Sequence, residues 1–281
     1  MITEFISKIF VINLESERGR REHIISEFSK VGITDYEFFK AINHDSKKVK
    51  DLMKTDFVFQ FPPCFRCKKN KCNCDNNVLI PQQIGNWISF IDVMKKIVEL
   101  DLENLIMVCE DDIKFTPYAN KIFNRLDQKT FIKRGVDLEK PLLIKLEGRD
   151  FNHNHKSPKE FTILEEKLYT YQGKQSMNSN ACFLINKKFA KTFIDNLKVI
   201  DCTSDMYIHS ITPQSGLKKY DQSVQYFIVK SYPVYQLSNY AGNKMPSCIH
   251  PKGETDYDKE RMKTHVKRID YDEYQKFKDK N

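Results

Sequence analysis

Short apolar runs alternate along this chain with longer stretches of helical periodicity, and that alternation restricts the folds open to it. The run KIFVINL (residues 8–14) suits a buried strand. Ile24, Ile25, Phe28 and Val31 then recur at helical spacing, with Ser16 placed to cap the helix and Gly32 to end it. YEFFKAI (36–42) reads as a second strand. Pro81 opens a helix carrying Ile84, Trp87, Ile88, Ile91, Met94 and Val98 on one face, and the strand-type run 105–109 follows. PLLIKLEG (141–148), NACFLIN (180–186) and a helix with Phe189, Ala190, Phe193, Ile194 and Leu197 inward continue the series. Such an order predicts an α/β fold with a mainly parallel sheet flanked by helices, whose ligands sit beyond the carboxyl ends of the strands.

A chain of 281 residues, 40% of them hydrophobic, is long enough to bury a substantial core, and no repeat or low-complexity linker divides it. We therefore expect a single domain over 1–281. No apolar run approaches the ~18 residues of a membrane span. The start, MITEFISKIF, contains Glu4 and too short an apolar stretch for a secretory signal, so the expectation is a cytoplasmic protein. Residues 254–281 mix acids and bases almost evenly and read as a charged extension, either a solvated helix or an extended arm.

The clearest chemical signal is IMVCEDDIKF (106–115), where Glu110, Asp111 and Asp112 follow directly on an apolar run. Adjacent carboxylates at the end of a buried strand repel one another and call for a cation. Hard divalent ions such as Mn²⁺ or Mg²⁺ take carboxylate oxygens and complete their shell with waters and substrate phosphates, so a sugar nucleotide would suit the place. The competing reading is an acidic turn with one carboxylate capping the helix near Pro117.

The net charge of +8 is unevenly spread: eight basic residues against Asp51 and Asp56 give the segment 47–71 a charge of +6 by itself. The same region holds CFRCKKNKCNC, in which Cys64, Cys67, Cys72 and Cys74 have the spacing C-x2-C-x4-C-x-C. Four thiolates around Zn²⁺ carry about −2, which Arg66, Lys68, Lys69 and Lys71 offset. We expect a structural zinc knuckle inserted over residues 60–78; two disulfides, or four ordinary thiols, are the alternatives. Cys109, Cys182, Cys202 and Cys248 are scattered and read as small buried hydrophobes. A basic zinc module that binds nucleic acid or protein without catalysis is the second functional reading. Against it, Phe57, Phe59 and Phe61 fit one apolar face of a strand better than a base-stacking surface.

Five segments carry a family resemblance: IFVINLESERGRRE (9–22), IGNWISFIDVMKKIVE (84–99), IMVCEDD (106–112), LIKLEGR (143–149) and SNACFLIN (179–186). In order and approximate spacing they resemble glycosyltransferase family 25, which includes bacterial lipooligosaccharide glycosyltransferases and procollagen galactosyltransferases. The resemblance implies a GT-A fold, a UDP-sugar donor, a Mn²⁺-type cofactor and inversion at the anomeric carbon. It implies transfer of galactose or glucose to a glycan, a lipid-linked sugar or a protein hydroxyl, with no stable nucleic-acid partner. Asn13, Arg20 and Arg21 match the donor-side motif, and Lys145 in LIKLEGR joins them; for Arg21 a solvated helix face is the alternative. Glu110 and Asp112 match the outer acids of a DxD-like element, the first toward the ribose and metal, the second toward the metal. His250 in CIHPKG is placed as a third metal ligand, or as an exposed loop histidine. Inversion needs a base to take the acceptor proton. Asp205 in TSDMYI is the candidate, Asp221 in KKYDQSVQYF the alternative, and either can instead cap a helix or turn. Two departures concern the acceptor side: Ser89-Phe90 stands where the family usually has Ser-His, and the cysteine insert has no counterpart in the shared pattern.

Overall fold

The structure, a computed structural model, describes residues 5–59, 64, 67, 69–74, 78–100, 102–124, 127–133, 135–147, 163–165, 180–212, 223–229, 233–239, 245, 248–249 and 270–279. Asp221, His250 and residues 254–269 of the charged extension lie outside the described residues, as do parts of the cysteine insert.

The chain runs through β1 (Ile6–Asn13), α1 (Arg18–Lys30), β2 (Glu37–Lys40), α2 (Lys47–Leu52), α3 (Pro81–Glu99), β3 (Leu105–Glu110), β4 (Ile113–Phe115), α4 (Ala119–Phe123), α5 (Gln128–Lys133) and β5 (Leu142–Lys145). It continues through β6 (Ile163–Glu165), β7 (Cys182–Ile185), α6 (Lys187–Asn196), α7 (Ser204–Ser210), β8 (Gln225–Val229), β9 (Val234–Gln236), a 3₁₀ turn (Leu237–Asn239) and α8 (Tyr271–Lys278). A seven-stranded sheet has the order β2-β1-β3-β7-β5-β8-β6, and β4 pairs with β9 in a separate two-stranded sheet. Five of the seven strands point one way; β7 and β6 run against them. The expectation of a mainly parallel sheet thus holds for strand direction. The reversed β7 sits between β3 and β5, an arrangement that strand-then-helix order does not specify.

Burial on both faces explains why these strands read as continuous apolar runs. Alternate residues point to opposite sides. Ile9 and Val11 of β1, with Met107 and Cys109 of β3, pack under α1, α4 and α5 beside Phe28, Phe123 and Phe131. Phe10 and Ile12, with Ile106 and Val108, pack against α3, α6 and α7. On that side Trp87 donates its indole N–H to the Cys202 carbonyl at 2.7 Å, and its ring lies against Phe193 and Tyr207. Among the described residues, no helix is long and apolar enough to cross a membrane.

Two local expectations are corrected. Ser16 does not cap α1: a turn closed by Glu17 N–H to the Leu14 carbonyl (2.9 Å) takes it up, and the helix starts at Arg18 behind Glu17, with no side-chain cap. Residues 57–59 form no strand with phenylalanines inward. Val58 makes an isolated bridge to Ile200 and is buried, Phe59 is 50% exposed, and Phe61 lies outside the described residues. Gly32 leaves α1 with φ of 70°, a conformation that favours glycine. Pro81 occupies the start of α3, where its missing N–H leaves no helical bond unmade.

Candidate functional site

The carboxyl ends of β1, β2 and β3 share one edge of the sheet, and an open cleft of about 690 Å³ lies beyond them. Ile12 and Leu14 come from β1 and its exit, Ala41, Ile42 and His44 from the exit of β2, and all three acids from the end of β3. The first turns of α3 form the opposite wall through Gln82, Asn86 and Ser89. Close contact fixes this wall: a Cβ added to Gly85 would stand 2.6 Å from the Ile42 carbonyl oxygen. Ser89 Oγ accepts the Ile42 N–H at 2.8 Å and donates to the Gly85 carbonyl at 2.7 Å.

The three acids have separate partners. Asp111 is buried, accepting a hydrogen bond from Asn13 Nδ2 at 2.8 Å and pairing with Arg20 Nη1 at 2.5 Å. Glu110 and Asp112 share one neutral amide. Gln236 Nε2 donates to Glu110 Oε2 at 2.7 Å and lies 3.3 Å from both Asp112 oxygens. The β4–β9 ladder delivers Gln236, which pairs in register with Ile113, and Leu237 N–H bonds the Asp112 carbonyl at 2.8 Å. Asn86 Nδ2 approaches Glu110 Oε1 at 3.5 Å.

Burial dominates the electrostatics of this edge. Burial first, then the charges of Asp112, Glu147 and Asp111, push the Glu110 carboxyl well above the ordinary carboxylate range. Burial also raises Asp111, although Arg20 and Asn13 oppose it. The Arg20 guanidinium is held charged: burial works against it, but Asp111 and Asp112 outweigh that and raise its pKa. Arg20 pairs with Asp111, while Glu110 and Asp112 face the Gln236 amide. Glu110 and Asp112, bridged by that amide, present carboxylate oxygens of the kind that hard divalent ions take.

Other sequence-predicted residues fall in different places. Arg20 lines the cleft while holding Asp111. Asn13 is buried and reaches Asp111 and the Glu17 carbonyl. Arg21 turns away and lays its guanidinium 4.1 Å over the Phe38 ring. Lys145 is 1% exposed and sits 3.5 Å from Glu147 in a buried pair, not among the residues that line the cleft. Asp205 does not line the cleft either, but its neighbour Ser204 donates to Asn86 Oδ1 on the cleft wall at 2.7 Å. Cys109, Cys182 and Cys202 are buried as expected, whereas Cys248 is half-buried on the cleft. Away from the cleft, the sulfurs of Cys64, Cys67, Cys72 and Cys74 lie within 4.8 Å of one another, and this group can hold a metal ion.

Sequence reasoning missed Gln82, Asn86, His44 and Gln236. For the helix pair a signal existed: Gln82, Asn86 and Ser89 recur at helical spacing as a polar stripe on an otherwise apolar segment.

The pattern described as "Glycosyltransferase family 25 (LPS biosynthesis protein)" matches residues 6–208. The chain belongs to glycosyltransferase family 25. The span shared with the family runs from β1 into α7 and includes the acids and Asp205, while Gln236 and Cys248 lie beyond it. Among curated members, a protein of Aedes aegypti named "Glycosyltransferase 25 family member" is 31% identical over 116 residues, 41% of this chain and 18% of that protein. One of Anopheles gambiae with the same name is 29% identical over 116 residues, again 41% and 18%. One of Drosophila pseudoobscura pseudoobscura is 26% identical over 113 residues, 40% and 17%. The aligned part of this family 25 chain thus spans less than a fifth of those relatives.

Proposed function

We propose that this chain is a metal-dependent glycosyltransferase that moves a hexose, galactose or glucose, from a UDP-sugar to a hydroxyl of a glycan, lipid-linked sugar or protein, with inversion. The observation that carries this reading is the pair Glu110 and Asp112 at the carboxyl end of β3, facing the cleft and sharing the Gln236 amide. Family membership supports the reaction class, and the position beyond parallel strand ends, as in a GT-A fold, supports a nucleotide-sugar site.

Glu110 and Asp112, with His250 as the third ligand, would hold Mn²⁺ or Mg²⁺, and the ion's chemistry would be to neutralise the donor's diphosphate. Arg20 and Asn13 act on the donor side by fixing Asp111, which sets the backbone between the two metal-facing acids. Asp205 is the proposed base: it does not itself line the cleft, but its neighbour Ser204 is bonded to Asn86 on the cleft wall; Asp221 is the alternative.

The test is thermal-shift measurement with UDP-, GDP- and CMP-sugars, with and without Mn²⁺. UDP-sugars should stabilise the wild type only with the metal. Asp112→Asn should fold but lose that metal-dependent response, because a neutral amide forfeits most of the attraction to a divalent ion. Unchanged UDP binding and turnover in Asp112→Asn would remove the metal assignment, and no response to any nucleotide sugar in the wild type would remove the function.

A further inference from the structure

The insert between α2 and α3 brings four sulfurs to one point. Cys64, Cys67, Cys72 and Cys74 all place their Sγ atoms within 4.8 Å of one another, with Cys64 buried and the others half-buried. Disulfides need only pairwise approach; convergence of all four is what a tetrahedral ion demands. Zn–S bonds of about 2.3 Å put ligand sulfurs roughly 3.8 Å apart, so small side-chain adjustments close the shell. Cys64 N–H bonds the Lys69 carbonyl at 3.1 Å, which holds these two residues of the insert together.

A second observation concerns what rests on this cluster. Tyr271, the first residue of α8, packs with Cys64, Cys67, Cys72, Cys74 and Val78. Its hydroxyl donates to the Cys72 carbonyl at 3.0 Å and accepts the Cys72 N–H, closing a loop of contacts across 199 residues of sequence. Asp270 caps the helix through the N–H groups of Asp272 and Glu273, at 3.0 and 3.1 Å. An eight-residue helix is still too short to persist on its own in water, where ~12–15 residues are marginal. Its order therefore depends on the surface it sits on.

We propose that Cys64, Cys67, Cys72 and Cys74 bind one Zn²⁺ as tetrahedral thiolates and that the metal-ordered loop is the seat of the C-terminal helix, joined to it by Tyr271. Binding releases the thiol protons to solvent and involves no redox change. The ion fixes the Cys72 peptide, whose N–H and C=O are the two groups that Tyr271 reads. Zinc is favoured over a hard ion such as Mg²⁺ because the four converging ligand atoms are all soft thiolate sulfurs. The site is independent of the transferase reading, since none of its ligands lines the cleft.

The experiment uses the full chain, purified reduced and without chelators. Elemental analysis should find about one zinc per chain at this site, and hydrogen exchange should be followed over residues 270–279 before and after removal of zinc by a strong chelator. Removal should accelerate exchange in that helix, and added Zn²⁺, but not Mg²⁺, should restore protection. Tyr271→Phe should keep the zinc and the ring packing, yet raise helix exchange by at least roughly three- to tenfold, the range for one net hydrogen bond, since the hydroxyl makes two to Cys72. Absence of zinc, or a mass corresponding to two disulfides, would overturn the site. Zinc present with helix exchange indifferent both to its removal and to Tyr271→Phe would overturn the docking.

Discussion

Arg20 is the residue on which the acidic edge turns. It is a cation drawn into a buried cluster containing Asp111 and Asp112, and it reaches Asp111 from the first turn of α1. Replacing it by glutamine leaves buried carboxylates facing one another, so Arg20→Gln should cost about 3 kcal/mol at pH 7, the usual scale for breaking a buried pair from one side. The pH dependence follows from the raised carboxyls. Their protonated forms suit the folded state, so they cost stability as pH rises through their folded values, and Arg20 offsets that cost only while they are ionised. Urea denaturation should therefore show the gap between wild type and Arg20→Gln narrowing as pH falls; a gap that widens would deny Arg20 this role. Sequence announced the three acids but not their division of labour. Asp111 pairs with residues 91 and 98 positions away and Gln236 reaches Asp112 across 124, and separations of that size leave no local trace.

At the scale of elements, α3 sets the width of the cleft. Its existence was legible because Pro81 and a long apolar period are local signals, as was β3 with its terminal acids. Its close approach to the exit of β2 was not, since nothing in the sequence states that Gly85 meets Ile42. Alanine at Gly85 gains about 1 kcal/mol of helix propensity. The added Cβ at 2.6 Å from a backbone oxygen forces the helix to move, however, and we expect Gly85→Ala to lose roughly 1–3 kcal/mol net, as overpacking does. Ser89→Ala should cost a similar ~1–3 kcal/mol by leaving the Ile42 N–H without its acceptor. Both variants move Ala41, Ile42 and His44, so chemical denaturation and UDP-sugar thermal shifts should weaken together; intact stability in both would mean the helix is placed by its apolar face alone. The strand β7 shows the opposite limit of sequence reading. NACFLIN reads as a strand, yet its antiparallel place between β3 and β5 rests on ladders to residues 106–109 and 143–145 that no periodicity encodes.

For the whole molecule, the question is how distant segments meet to make one reaction site. The proposed donor side draws on residues of β1, α1 and β3, whereas the proposed base belongs to α7, held to α3 by Ser204–Asn86 and by Trp87 bonding the Cys202 carbonyl. If Asp205 takes the acceptor proton, its charge matters to the attack and not to donor binding. Asp205→Asn should then leave the metal-dependent UDP-sugar thermal shift nearly intact while transfer falls roughly 10²–10⁴-fold, the range for general-base catalysis. Hydrolysis of the donor by water should fall with it, provided the same carboxylate activates the water. Asp221→Asn is the matched comparison, removing an acid of equal size from the neighbouring sequence. Full transfer in Asp205→Asn with loss in Asp221→Asn moves the role to Asp221. Full transfer in both removes carboxylate-base catalysis from these two residues, while joint loss of transfer and donor binding in Asp205→Asn would assign that residue to the architecture linking α7 to the cleft wall.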